Sequence, residues 1–165
     1  MSDGRQMISY DTPAGRFNFR AAAIILREGH VLVTRGVRET VWYLPGGRVE
    51  WGESTREAVE REIVEELGTQ GEIGDLAIVL ENFFALDGQR WHELAYYFSA
   101  SLPESFPFRV DGEVCHRSLD GVGEIEFKWV RAEAEMLRAS NFRPDALCDL
   151  ISATSSPVRH LVWSE

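Results

Sequence analysis

Three glutamates in the segment REIVEELG, Glu62, Glu65 and Glu66, have the spacing of one helix face. In an α-helix these positions lie within about 100° of one another, and each pair of like charges destabilises the helix by about 0.2–0.5 kcal/mol. Carboxylate oxygens are also the ligands that Mg²⁺ and Mn²⁺ prefer. The stripe is therefore either a solvated acidic face or a place for a divalent cation.

This acidic stripe borders the apolar stripe of the same helix. With Glu62 set at zero on a helical wheel, Glu66 lies near about +40° and Glu65 near about −60°. The apolar Val59 and Ile63 lie near about +60° and +100°. An acidic face that only solvates the helix would point away from the apolar side, so this placement favours a cation site at the margin of the domain.

The composition is that of one globular domain. The chain has 165 residues, of which 44% are apolar and 27% charged, and this is enough to bury a core. Its formal charge of −10 disfavours nucleic-acid polymers and anionic membranes as partners. The two cysteines lack CxxC spacing, the longest apolar run is residues 21–26, and the N-terminus has no signal-peptide pattern. We therefore expect a cytoplasmic enzyme or binding domain.

The strand patterns predict a mixed sheet covered by helices on its faces. FNFRAAAIILREG and HVLVTRG predict a hairpin that turns at residues 28–30, and LAIVLENFFAL and RWHELAYYFSASL predict another around Asp87-Gly88. EIEFKWV, residues 124–130, alternates like a further strand. Residues 1–15 form a polar lead-in, and the closing VRHLVW is a strand or a docked tail.

The clearest predicted helix runs from Ser54 to Leu67. Ser54 and Glu57 have capping-box spacing, and Gly68 suits a left-handed C-terminal cap. Shorter helices are expected around residues 133–139 and 144–151.

Residues 47–68 read GRVEWGESTREAVEREIVEELG. This segment resembles the signature of the Nudix hydrolases, G-x5-E-x7-R-E-U-x-E-E-x-G-U, at every fixed position from Gly47 to Gly68. The departure is Thr69, which stands where a bulky aliphatic residue U is usual. The resemblance covers roughly residues 17–151. It implies an α/β fold of α+β type, an α/β/α sandwich with a mixed β-sheet and a loop–helix–loop motif. The domain would span residues 16–155, with 156–165 as a tail or final strand.

The resemblance also implies roles inside the motif. Glu62, Glu65 and Glu66 would ligate Mg²⁺, with Mn²⁺ as an alternative, and Glu65 and Glu66 would serve catalysis through that metal. Gly47 and Gly68 would shape the loop–helix–loop. Arg61 would orient the loop that carries Glu53, and it can also pair with Glu65 on the helix. Glu53 would support the metal site, through water or by holding Arg61; its alternative is a charge favoured by the helix dipole.

The implied reaction is hydrolysis of a nucleoside diphosphate linked to a group X, by attack of metal-activated water on phosphorus. A carboxylate would accept the proton, and in this family that base varies. Glu124 is a candidate for contacting the metal or the attacking water. The alternative is that it is a solvated charge at the edge of a strand. Glu93 is expected on the cleft side of a strand or in a cross-strand salt bridge. Arg35 and Arg38 are candidate phosphate or ribose contacts, or ordinary surface charge.

Two other readings compete with this one. A relative of the same fold can act at carbon on a nucleotide sugar or isomerise a prenyl diphosphate, and another can sense nucleotides without catalysis. Both alternatives rank below hydrolysis at phosphorus, because the motif is intact and no basic extension is seen. The substrate stays open among nucleoside triphosphates, nucleotide sugars and ADP-ribose, since Phe84 and Ala85 occupy the place of the proline common in ADP-ribose hydrolases. A homodimer through an apolar edge strand or the terminal LVW is also left open.

Overall fold

A large mixed β-sheet forms the middle layer of the structure. The computed structural model describes residues 4–153 and 157–165. Neither α-helix in those ranges has the length and apolar character needed to cross a bilayer. The described elements are, in chain order, β1 (Ser9–Thr12), β2 (Gly15–Arg27), β3 (His30–Gly36), β4 (Gly46–Arg48), α1 (Thr55–Leu67), β5 (Glu72–Leu86), β6 (Gln89–Ser101), β7 (Val114–Leu119), β8 (Glu124–Arg131), α2 (Ala134–Ala139) and β9 (Arg159–Ser164), with 3₁₀ turns at Asp145–Leu147 and Ile151–Ala153.

Strand β2 organises this sheet. The strand order is β7-β8-β3-β2-β6-β5-β9, and β1 and β4 also pair with β2. Along one edge β2 runs parallel to β6 from residue 16 to residue 25. Along the other edge it pairs in turn with β1, β4 and β3, all antiparallel. The second parallel pair is β5 with β9, so the sheet is mixed as predicted.

The two faces of the sheet are covered by different helical elements. Alternate residues of β2 point to opposite faces, so Ala21, Ala23 and Ile25 pack with α1 in one apolar cluster. Ala22 and Ile24 belong to the other cluster, together with residues of α2 and the two 3₁₀ turns. These layers confirm the predicted α/β/α sandwich.

Helix α1 has the ends that its sequence predicts. The Ser54 hydroxyl accepts a hydrogen bond from the Glu57 N–H at 3.2 Å, and the Glu57 carboxylate accepts one from the Ser54 N–H at 2.8 Å. Gly68 takes the left-handed conformation, with φ of 66°, and its N–H donates to the Val64 carbonyl. The helix is therefore fixed at both ends by local contacts.

Both predicted hairpins are present. Glu28 and Gly29 have φ of 47° and 73°, and β2 continues directly into β3 across them. Asp87 and Gly88 have φ of 51° and 78°, the conformation of the primed turns that suit a two-residue hairpin. β5 and β6 pair antiparallel from that turn, with Leu86 opposite Gln89.

Other segments differ from the sequence-based expectation. Residues 9–12, placed in the polar lead-in, form β1, because their backbone pairs with the free edge of β2 even though most of their side chains are exposed. Residues 114–119 form an edge strand that the sequence did not indicate. The segment 144–151 contains 3₁₀ turns closed by i→i−3 hydrogen bonds instead of an α-helix. The VRHLVW segment provides a strand, whereas residues 1–3 and the expected boundary at 155–156 lie outside the described residues.

Replacing Gly46 by alanine should destabilise the domain by more than about 2 kcal/mol. Gly46 has φ of 150°, and a Cβ there would lie 2.3 Å from the Ala21 carbonyl oxygen of β2. Urea unfolding followed by circular dichroism measures the change. Gly121→Ala is the control, since its added methyl meets nothing within 4 Å, and it should shift stability by less than about 0.5 kcal/mol. Equal midpoints for the two variants would contradict this prediction.

Candidate active site

Arg61 joins the loop after β4 to helix α1. Its Nε and Nη2 atoms donate to the two Glu53 carboxylate oxygens at 2.7 and 3.0 Å. Its Nη1 atom donates to Glu62 at 2.7 Å and to Glu65 at 3.2 Å. Nη2 also donates to the Arg48 carbonyl oxygen at 3.1 Å. One guanidinium therefore donates to three carboxylates and to the strand that precedes the loop, and its Nε atom also lies 3.8 Å from the Glu50 carboxylate. These contacts include the pairing with Glu65 that the helical spacing predicts.

Glu53 is held in place by this arginine. Its second oxygen also accepts the Glu50 backbone N–H at 2.9 Å, which closes the turn at the start of the loop. Burial alone would raise the pKa of Glu53, but the hydrogen bonds from Arg61 and from the Glu50 N–H outweigh it and lower the pKa. Of the two routes by which Glu53 was expected to support the site, the structure shows the contact with Arg61.

Glu62 lies against the glycine loop. A Cβ added to Gly47 would come within 2.1 Å of the Glu62 Oε1 atom, so the missing side chain leaves the room that this carboxylate occupies. The Glu62 side chain is 15% exposed. Burial raises the pKa of Glu62, and the hydrogen bond from Arg61 compensates this in part.

Glu66 is the most buried of the three helix glutamates. The residue is 8% exposed, and its Oε2 atom has no hydrogen-bond partner among the described residues. Burial, followed by the nearby charge of Glu62, raises its pKa to about 8. An ionisable oxygen enclosed without a donor is costly, and fewer than about one in ten buried polar groups in proteins lack a partner. Glu66 therefore needs an explanation that the protein's own contacts do not supply.

Glu65 has a different environment from its two neighbours. Its side chain is 43% exposed and accepts a hydrogen bond from Arg5 at 2.7 Å as well as the one from Arg61. Within the described ranges, no three carboxylate, histidine or cysteine side chains are grouped closely enough to hold a metal ion. The three glutamates thus share a helix face as predicted, but Glu65 is turned towards arginines while Glu62 and Glu66 lie at the glycine loop.

A cleft of about 980 Å³ opens beside this helix. It brings together five residues that the sequence singled out from separate parts of the chain: Glu66 of α1 together with Arg35, Arg38, Glu93 and Glu124. Arg20 and Gly46 line it as well. The Arg20 charge acts on both Glu62 and Glu66 and lowers their pKa values, although less than burial raises them. The cleft is large enough for a nucleotide-sized ligand.

The predicted ligand contacts in the cleft differ in whether the protein already uses them. Arg35 donates two hydrogen bonds to Glu126, which is 4% exposed, and its guanidinium lies over the Trp42 ring at 4.3 Å. Arg35 therefore neutralises a buried carboxylate and has little freedom to meet a ligand. Arg38 and Glu124 are exposed at the cleft and remain available to one.

Glu93 faces the cleft but makes no salt bridge among the residues that the structure describes. Its Oε2 atom accepts a hydrogen bond from the Asn18 side-chain amide at 2.7 Å, and Arg48 Nε donates to the Asn18 Oδ1 at 3.0 Å. Sequence reasoning did not identify Asn18, Arg20 or Arg48. A signal was present, because Asn18 and Arg20 interrupt the otherwise apolar run of β2. A lone polar residue inside an apolar strand can mark a cleft.

Comparisons with known proteins agree with this geometry. A family model described as NUDIX domain matches residues 17–148. The chain is 37% identical over 87 residues to putative nudix hydrolase 1 of Caenorhabditis elegans, which covers 48% of the chain and 22% of that protein. It is 46% identical over 61 residues to putative 8-oxo-dGTP diphosphatase 2 of Mycobacterium tuberculosis, which covers 34% of the chain and 42% of that protein.

Solved structures extend the likeness over nearly the whole fold. The MutT protein from Methanosarcina mazei Go1 superimposes with a TM-score of 0.58 at 23% identity, and the match covers 87% of this chain and 96% of that one. The matched regions span less than half the length of the two curated relatives. Because the family model covers most of its residues, the chain belongs to the Nudix family.

Proposed function

We propose that this protein hydrolyses a nucleoside diphosphate linked to a further group X, by attack of water on phosphorus with the help of a divalent cation. The observation that carries the proposal is Glu66. Its Oε2 atom is enclosed, lacks a protein donor in the described structure, and belongs to a residue that lines the cleft. A cation is the partner that would compensate such a carboxylate.

The residues present fit a divalent cation. Glu62, Glu65 and Glu66 provide the oxygen ligands that Mg²⁺ or Mn²⁺ prefers, and Gly47 leaves the room that the Glu62 carboxylate occupies at the loop. Glu65 would join them by exchanging its contact with Arg5 for the cation. When bound, the cation would neutralise charge on the diphosphate and lower the pKa of a bound water.

The chain's own side chains would bind and orient the substrate around that site. Arg61 holds Glu53, Glu62 and Glu65 in fixed relative positions through five hydrogen bonds, counting the one to Arg48. Arg20 on the cleft wall and the exposed Arg38 would offer positive charge to phosphate oxygens. Glu124 would accept the proton from water, because it lines the same cleft and is exposed, whereas Glu93 already accepts a hydrogen bond from Asn18.

Nucleoside triphosphates are the substrate class that we place first. The matched region of the Mycobacterium tuberculosis relative belongs to a protein described as a putative 8-oxo-dGTP diphosphatase, which supports a triphosphate substrate. The cleft volume of about 980 Å³ accommodates a mononucleotide. Nucleotide sugars and ADP-ribose belong in the same screen, because they carry the same diphosphate.

Purified protein with Mg²⁺ should release phosphate or pyrophosphate from at least one member of a nucleotide panel. The panel contains nucleoside triphosphates, oxidised nucleotides, dinucleoside polyphosphates, nucleotide sugars and ADP-ribose. Glu66→Gln and Glu65→Gln should lower the rate by about 100-fold or more, because each removes a carboxylate ligand of the cation that would neutralise the diphosphate. Chromatography of the nucleotide products, which also detects the nucleoside monophosphate formed from ADP-ribose or a nucleotide sugar, tests this, with circular dichroism as the check on folding.

Glu60→Gln is the matched control for these variants. Glu60 is exposed on the same helix, about 160° away from Glu62, and its substitution should leave the rate within about twofold. Full activity of both Glu65→Gln and Glu66→Gln, or of the wild-type protein in excess EDTA, would contradict the metal assignment.

The stability of the metal-free protein should fall as pH rises from about 5 to about 8. Burial, and then the Glu62 charge, raises the pKa of Glu66 from 4.5 to about 8, so the folded state holds this proton more tightly than the unfolded chain does. The stabilising effect is complete below the unfolded pKa and is lost as pH passes through the folded value. Urea unfolding in EDTA across this range measures the trend.

Two comparisons isolate the contribution of Glu66 to this trend. Glu66→Gln should flatten the pH dependence, whereas Glu60→Gln should keep it, because only the first variant removes the buried titrating group. Adding Mg²⁺ at pH 8 should raise the unfolding midpoint of the wild-type protein, since binding to the folded state stabilises it. A pH dependence of equal slope in Glu66→Gln would show that another group causes it.

A further inference from the structure

A second group of unpartnered polar atoms lines the same cleft, on strands β5 and β6. Asn82 is 5% exposed, and its side-chain Oδ1 has no hydrogen-bond partner in the part of the chain that the structure describes. The indole Nε1 of Trp91 is also buried without an acceptor there. Both residues line the cleft. These two atoms make this part of the cleft wall polar. The Asn82 Nδ2 group makes no hydrogen bond to any described residue, so its N–H groups can donate to a ligand.

Asn82 lies directly opposite Glu93 in the antiparallel β5–β6 pair. The Cβ atoms of such a pair are about 4.5–5.5 Å apart on the same face of the sheet. No hydrogen bond joins the two side chains among those found in the described residues. The Asn82 amide and one Glu93 oxygen, Oε1, therefore stand side by side and available in the cleft.

Glu93 is held in position from the other side. Its Oε2 atom accepts a hydrogen bond from Asn18 Nδ2, and Arg48 donates one to Asn18 Oδ1. Because Arg48 can only donate, it fixes which side of the Asn18 amide faces Glu93. Asn18 is the β2 partner of Glu93 in the parallel pair and is 5% exposed. Three neighbouring strands thus hold one carboxylate with a free oxygen. A carboxylate fixed in this way is a pre-organised acceptor for N–H groups.

An aromatic pair lies next to these groups. Phe84 and Trp91 are cross-strand partners two residues from Asn82 and Glu93, on the same face of the sheet. Their rings are nearly parallel, at 9°, with centroids 5.7 Å apart, and both residues line the cleft. A flat ring can pack along such a wall while its edge meets Asn82 and Glu93.

The hydrogen-bonding groups of Asn82 and Glu93 favour one kind of base edge in a ligand. A carboxylate only accepts hydrogen bonds, whereas the neighbouring amide can donate, so the complementary edge carries N–H beside C=O. Guanine has this edge, with N1–H and the N2 amino group for the carboxylate and O6 for the amide. Adenine and cytosine instead direct a ring-nitrogen lone pair at the carboxylate, and uracil offers it a single N–H.

We propose that Asn82 and Glu93 read the base of the nucleotide substrate and select guanine. Glu93 Oε1 accepts from N1–H, Glu93 Oε2 accepts from the N2 amino group through the lone pair that Asn18 leaves unused, and Asn82 Nδ2–H donates to O6. This assignment rests on the proposed function, since it names the base of the same substrate. The glutamate helix α1 and Arg20 meet the phosphate end of that substrate, and the β5–β6 pair meets the base.

Steady-state kinetics with GTP, ITP and ATP in the presence of Mg²⁺ test the assignment. The wild-type protein should prefer GTP to ATP by about 10- to 100-fold in kcat/KM, the discrimination of one good bidentate contact. ITP, which lacks the N2 amino group, should fall between them. Glu93→Gln replaces one acceptor by a donor at constant shape, so it should abolish the GTP preference mainly through KM. Asn82→Asp should also raise the KM for GTP, because it removes the donor to O6.

Glu81→Gln is the matched control. Glu81 precedes Asn82 on β5, points to the opposite face, and pairs with His160 at 3.0 Å. This variant should keep the GTP preference. Circular dichroism checks that each variant is folded.

A binding measurement separates this inference from the proposed hydrolysis. In EDTA, isothermal titration calorimetry with GMP and AMP should show tighter binding of GMP by the wild-type protein and equal binding by Glu93→Gln. Selective GMP binding with no turnover of any nucleotide would overturn the proposed function and support the base assignment. Hydrolysis with equal GTP and ATP parameters, or a GTP preference that survives both Glu93→Gln and Asn82→Asp, would overturn the base assignment and leave the hydrolase intact.

Discussion

The site depends first on the hydrogen bonding of Arg61. Its Nε, Nη1 and Nη2 atoms reach Glu53, Glu62 and Glu65 and the Arg48 carbonyl, so the loop, the helix and β4 share one cation. Hydrogen bonding to Glu53 raises the pKa of Arg61 above its already high ordinary value, so the guanidinium stays charged at every relevant pH. A lysine ammonium has neither the planar fork nor enough donors for these contacts. This single interaction converts a repulsive acidic stripe into a fixed arrangement of carboxylates.

Arg61 contacts two of the three helix glutamates and leaves the third, Glu66, without a hydrogen bond from it. Glu62 and Glu65 each receive a hydrogen bond from it. Glu66, four residues further than Glu62 and more deeply buried, has the backbone N–H of Gly46 and the charge of Arg20 instead, and its Oε2 atom has no partner among the described residues. The unfavourable electrostatics of the stripe are therefore concentrated on one oxygen at the edge of the cleft. A fold that paired this Glu66 oxygen internally would be more stable without a ligand, but it would lack the unpaired carboxylate oxygen on which the proposed cation site depends.

Local signals predicted a large part of this arrangement. The helix and its caps follow from periodicity and from Ser54, Glu57 and Gly68, which act within a few residues of one another. The two-residue turn at Asp87-Gly88 even fixes the register that sets Asn82 opposite Glu93. The parallel pairing of β2 with β6 was not predictable, because its register depends on packing between distant segments. The contact between Asn18 and Glu93 could not be predicted for that reason, although the polar interruption at Asn18 is visible in the sequence. Strand β1 was missed because edge strands with exposed side chains carry no apolar pattern.

Arg35 shows why a charge in a cleft is not by itself a ligand contact. Glu126 is buried on the neighbouring strand β8 and requires a partner, and Arg35 and Arg117 both donate to it. From sequence alone Arg35 and Arg38 are equal candidates for a ligand contact, since the burial of Glu126 becomes apparent only when β3 and β8 are paired. Stabilising the sheet thus takes one of the two arginines away from substrate binding.

Strand β2 relates the two halves of the cleft. Asn18 and Arg20 point to the same face of this strand, and two residues along a strand span about 7 Å. Asn18 positions Glu93 through a hydrogen bond, while the Arg20 charge acts on Glu62 and Glu66. That spacing is on the scale of the ribose that joins a base to its phosphates. In the proposed function, a regular strand with two polar residues would therefore set the distance between base recognition and phosphate chemistry, which a flexible loop could not do as accurately.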